Sequence, residues 1–166
     1  MGKNISRRVF LRNSALALGA VATAYSKGVA YVFAASKERA MSGRVVTEVF
    51  KISVEANGRI TVFELNDSQA SRDLYDQLPL SIAVEDYASN EKIFYPPKKL
   101  GTADTPLAKN VQPGTLAYYA PWGDVVMFYE KFVSAAGLYE LGHAVSGIEH
   151  IRGMSGTIEI EKVSTQ

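Results

Sequence analysis

The chain has 166 residues, 47% of them apolar and 21% charged, which fits a single globular domain able to bury a core, with no need for disorder. Its formal charge of +1 hides an asymmetry, because residues 1–34 hold Lys3, Arg7, Arg8, Arg12 and Lys27 with no acid, and the remainder carries 13 basic against 17 acidic residues, a net −4. A mildly acidic domain without a basic stripe argues against nucleic acid as a partner, and the absence of cysteine excludes disulfides, thiolate catalysis and Cys-ligated metals and disfavours a lipid anchor.

At the N-terminus, Ser6-Arg7-Arg8-Val9-Phe10-Leu11-Arg12 resembles the twin-arginine export consensus, with Arg7, Arg8, Phe10 and Leu11 at its defining positions. Ala15 to Ala24 follows as a short apolar stretch, interrupted at Lys27 and too short for a membrane span. Residues 1–34 therefore read as a twin-arginine signal peptide, with small residues permitting cleavage after Ala24 or after Ala34. The expected partner is the twin-arginine translocase, and the expected product is a periplasmic or secreted protein that does not span the membrane.

Residues 35–44 are polar and aperiodic and read as a linker to a domain over 45–166. From Val45 the apolar period is two: Val46, Phe50, Ile52 and Val54 share one face of a strand, Asn57-Gly58 makes a hairpin turn, and Ile60 to Phe63 returns. Asn66-Asp67-Ser68 caps a helix bearing Ala70, Leu74 and Leu78, ended by Pro79. Leu80 to Val84 is a strand, Tyr87 to Glu91 a polar loop, Ile93 to Tyr95 a strand stopped by Pro96-Pro97, and Gly101 to Gly114 a long loop. Strands follow at Thr115 to Tyr119, Asp124 to Tyr129 and Leu138 to His143, then a helical turn near Ser146 to Ile151 and a last strand, Thr157 to Val163. About eight short strands with one clear helix and one weak one predict a mainly β, closed or nearly closed barrel with helices over its ends.

The stretch Leu116-Ala117-Tyr118-Tyr119-Ala120-Pro121-Trp122-Gly123-Asp124-Val125-Val126-Met127-Phe128-Tyr129, with Gly137-Leu138 and Leu141-Gly142, resembles the bacterial cyclophilin-like family of small barrel proteins. Leu78-Pro79-Leu80 and the segment Asp86 to Lys92 are similar to the same family. The resemblance implies an eight-stranded barrel capped by helices. An Asn often follows Trp-Gly in that family, so Asp124 is a departure that changes the charge at the site.

Prolyl isomerases of this fold use a Phe-His-Arg segment, with a Gln and a Phe beside it, to stabilise the twisted amide. Beyond the signal the arginines are Arg39, Arg44, Arg59, Arg72 and Arg152, and none follows a Phe-His pair. Gly123 to Phe128 stands where isomerases have Gly-Ser-Gln-Phe-Phe. A barrel without these groups lacks the means of differential transition-state binding. The expectation is a module that binds a peptide or small molecule, with an unconventional prolyl isomerase as the alternative and a structural partner domain as a third reading.

No catalytic residue, metal site or cofactor is expected, since His143 and His150 are the only imidazoles and phosphate loops and nucleophile elbows are missing. The candidate binding set is Trp122, Phe128, Tyr129, Tyr87, Asn90, Glu91 and His143. Pro121-Trp122-Gly123 reads as a turn, where a tryptophan either folds over the barrel end or offers a binding surface. Alternation puts Tyr118 and Tyr119 on opposite faces. His143 is expected to end its strand at the barrel mouth.

Overall fold

A computed structural model describes residues 50–164. The twin-arginine signal, the linker and Val46 lie outside the described residues. Eight strands make a closed antiparallel barrel: β1 (Lys51–Ala56), β2 (Arg59–Leu65), β3 (Leu80–Tyr87), β4 (Glu91–Phe94), β5 (Thr115–Tyr119), β6 (Asp124–Phe128), β7 (Leu138–Ser146) and β8 (Gly156–Lys162). Around the barrel the order is β1-β2-β7-β5-β6-β4-β3-β8, with β8 pairing back onto β1. Closure leaves no unpaired sheet edge. Among the described residues no helix is long and apolar enough to cross a membrane.

The alternation seen in the sequence sets the barrel's inside and outside. Ile52, Val54 and Ala56 of β1 are buried inward, and Asn57-Gly58, both at positive φ, close a two-residue turn that pairs Ala56 with Arg59. Phe63 and Leu65 of β2, Val84 of β3, Phe94 of β4, Leu116 and Tyr118 of β5 and Ile158 and Ile160 of β8 complete the interior. Helix α1 (Gln69–Asp76) closes one end with Ala70 and Leu74. Ser68 caps it by accepting the Ser71 N–H, and Asp104 Oδ1 accepts the Gln69 N–H at 2.6 Å. A 3-10 turn, Ile148–Gly153, inserts Ile151 into the same core.

A second apolar layer lies outside the barrel. Ala108 and Val111 of the 101–114 loop, together with Phe132 and Ala135, cover Ile93, Ala117, Val126, Phe128 and Leu138. The Ala108 N–H donates to the Leu138 carbonyl at 3.0 Å, and isolated bridges join Leu107 to Tyr139 and Val111 to Phe132. The long loop is thus a fixed cover, held by strand-like pairing. Its presence explains why β6 is apolar and buried on both faces from Val125 to Phe128: Val125 and Met127 enter the barrel while Val126 and Phe128 meet the cover.

Candidate functional site

The outer layer stops short of the β5–β6 turn, and a cavity of about 190 Å³ remains there. Strand alternation decides what lines it. Asp124, Val126 and Phe128 project from β6, Glu91 from β4 and Tyr87 from the end of β3, while Tyr119 and Trp122 bound the turn and Phe132, Ala135 and Leu138 close the far wall. Lys92, one residue from Glu91, shares the inward face with Phe94 and is buried there, its Nζ 2.6 Å from Asp86 Oδ1. That cation therefore serves the barrel side and not the cavity.

Trp122 is held by a tight turn. Its N–H and that of Gly123 both donate to the Tyr119 carbonyl, at 3.2 and 2.8 Å, and Gly123 has φ +81°, which a side chain rarely tolerates. The indole lies edge-to-face with Tyr87 at 5.1 Å and with Tyr119 at 5.4 Å, at interplanar angles of 86° and 78°. Phe128 and Phe132 stack at 5.7 Å behind them. Although it touches two rings, Trp122 is 49% exposed, so it borders the cavity without being core.

Two carboxyl groups line this aromatic recess. Asp124 is only 2% exposed, and its Oδ1 has no hydrogen-bond partner among the described residues. Burial pushes the Asp124 carboxyl up from the ordinary range, with its own backbone N–H pulling the other way. Glu91 is pushed up to about 7, chiefly by burial and then by the Asp124 charge. Tyr95, one residue beyond the Phe94–Val125 pair, is also raised, by burial first and by Asp124, Glu85 and Tyr87 after it. Among the described residues neither Glu91 nor Asp124 has a basic side chain within 4.0 Å. No group of three or more metal-ligating side chains exists among them either.

Of the seven residues the sequence nominated, Tyr87, Glu91, Trp122 and Phe128 meet in this cavity. The other three do not line it. Tyr129 is half-buried against the barrel core, with the Arg152 guanidinium 4.8 Å from its ring centre. Asn90 sits at the tip of the β3–β4 hairpin, where its carbonyl accepts the Tyr129 and Glu130 N–H groups. His143 does not end a strand, because β7 runs on to Ser146; the imidazole is exposed, between Glu64 of β2 and Thr115 of β5. Asp124, noted in the sequence as a change of charge at the site but not nominated for binding, lines the cavity, and its period-two relation to Phe128 was available in the sequence. The far-wall residues carried no such signal.

A closed barrel with this strand order can be compared with known proteins. The family model described as the cyclophilin-like family matches residues 54–161, more than half of the chain. The chain belongs to the cyclophilin-like family. Among solved structures it is similar to a hypothetical protein from Archaeoglobus fulgidus, with a TM-score of 0.54 and 16% identity over 69% of this chain and 95% of that one. At that identity the likeness concerns the fold alone. No curated protein matches the chain.

Among the described residues of this cyclophilin-like barrel, no arginine reaches the cavity. Arg72 is engaged by Asp67 and Asp104 beside α1, and Arg152 pairs with Glu130. What the recess offers is aromatic surface, two acids and an unpartnered oxygen, a set suited to holding a ligand by contact and charge.

Proposed function

We propose that this protein is exported by the twin-arginine route and acts outside the cytoplasm as a binding module, taking a small molecule or a peptide side chain in the cavity beside Trp122. The observation that carries the reading is the half-exposed tryptophan held by Tyr87 and Tyr119 beside a recess with an unpartnered acid in its lining. A tryptophan needed only for packing would be buried, and an acid needed only for solubility would face water. Prolyl isomerisation has less support, because the cavity lacks an arginine to stabilise the twisted amide.

Ligand-observed NMR with a fragment library tests the reading. Fragments should bind the wild-type full chain and lose binding to Trp122→Ala, with the variant still folded. A library without hits, or hits that a folded Trp122→Ala retains, would refute the assignment. A prolyl cis/trans exchange assay on the same protein should stay at the uncatalysed rate of tens of seconds. Robust exchange abolished by Trp122→Ala would replace binding with catalysis.

A further inference from the structure

The geometry points to an organic ammonium group, carried on a short hydrocarbon stem, as the ligand of the cavity formed by Trp122, Tyr87, Tyr119, Glu91 and Asp124. This inference rests on the binding reading above and names the chemistry of its ligand. Three observations converge on it. Asp124 is 98% removed from solvent with Oδ1 unpartnered, Glu91 lines the same recess, and two tyrosine rings, each edge-to-face with the Trp122 indole, line it as well.

A proton can neutralise Asp124 but adds no hydrogen-bond donor from outside, and a water can donate but carries no charge. An ammonium supplies both at once, and its stem adds contact with Val126 and Phe128. Walls of tryptophan and tyrosine favour a cation through their ring quadrupoles, the arrangement used in aromatic cages for alkylammonium groups. With only two acids at hand, and no cluster of three metal-ligating groups among the described residues, the site is poorly equipped for a divalent metal. Lys99 runs its stem past Gly123 but makes no ion pair within 4.0 Å of either acid. A cavity of about 190 Å³ suits a stem of a few carbons, since an apolar cavity of ~150 Å³ takes a benzene-sized ligand.

The chain has a single tryptophan, so its fluorescence reports on this site directly. The full chain is titrated at pH 8 with n-butylammonium, n-butanol, n-butanoate, potassium and magnesium. Butylammonium should bind at least tenfold more tightly than butanol, butanoate should bind least, and the inorganic ions should not compete. Asp124→Asn, which keeps the side-chain shape, should weaken butylammonium at least tenfold while leaving butanol unchanged. Glu91→Gln should weaken it less and remove its rise in affinity between pH 6 and 8.

Equal binding of butanol and butylammonium would overturn the ammonium assignment while leaving a binding cavity in place. Potassium or magnesium matching butylammonium would overturn it in favour of an inorganic ion. If no probe, charged or neutral, perturbs Trp122, the binding reading falls as well. Nα-acetyl-lysine amide and 1,4-diaminobutane, run in parallel, separate the two sources of the group: the first binding as well as butylammonium indicates a peptide side chain, and the second alone indicates a free amine.

Discussion

Glu91 makes a prediction about stability that can be worked from the site. Its carboxyl is raised from 4.5 to about 7 in the folded chain, so the folded state holds this proton more tightly than the unfolded one. The stability gained from that proton is fully present below about pH 4.5 and is lost as pH rises through about 7. At 1.36 kcal/mol per pKa unit the full shift corresponds to about 3 kcal/mol. Glu91 is only partly buried, and solvent screening reduces this to on the order of 1 kcal/mol, or a few degrees in Tm for a domain of this size. Glu91→Gln removes the titrating group and keeps the shape. Thermal melts of both proteins from pH 4.5 to 8.5 should diverge: the wild type falls relative to Glu91→Gln across pH 5 to 8, whereas the variant loses this component. Parallel curves would refute the argument, because every other titrating group is common to both proteins. Asp124 interacts with Glu91, so protons leave the pair in coupled steps, and Asp124→Asn should shift the wild-type midpoint downward.

Trp122→Ala should lower stability by no more than about 2 kcal/mol by chemical denaturation, since half of the indole is already in water; a loss of ~4 kcal/mol would mark it as core. Gly142→Ala should cost more than ~3 kcal/mol or prevent folding, because a Cβ there collides with the Glu64 carbonyl where β7 crosses β2, whereas Gly58→Ala, facing open space in the hairpin turn, should cost only ~1 kcal/mol. Replacing Arg7 and Arg8 with Lys should leave a folded precursor in the cytoplasm on cell fractionation, and unchanged export would refute the signal assignment.

The barrel was legible because its interior obeys a period of two over long enough runs. Ile52, Val54 and Ala56 alternate with Lys51, Ser53 and Glu55, and the Asn57-Gly58 turn fixes the register of the return strand. Closure was legible only through the count of strands and the family resemblance, since the β1–β8 pairing joins residues more than a hundred positions apart. The outer layer was not legible. Residues 101–114 carry no period because they pair through isolated bridges, and nothing local tells Val111 that Phe132 will oppose it. The nominated set was divided by the alternation itself and by the hairpin: Tyr129 follows Phe128 in sequence and so faces the barrel core, and Asn90 precedes Glu91 but spends its carbonyl on the hairpin tip. The expected strand end at His143 was displaced because β7 continues three residues beyond it, to Ser146.

Two apolar clusters, one inside the barrel and one outside, divide the work of the fold. The inner cluster closes the barrel and leaves little room for change, because each side chain fills space shared with several strands. The outer cluster has an open end at the Trp122 turn, where buried acid and exposed aromatic surface depart from what stability alone would select. The pH dependences that follow run in opposite directions. Raising the pH through about 7 strips the proton from Glu91, which lowers the stability of the free protein and increases its attraction for a cation. A bound ammonium should therefore stabilise the fold most where the free protein is weakest, with a thermal shift that grows from pH 6 to 8 at constant ligand concentration. An acid buried only for packing gives no reason for the two effects to be opposed, and a site built to receive a positive charge requires it.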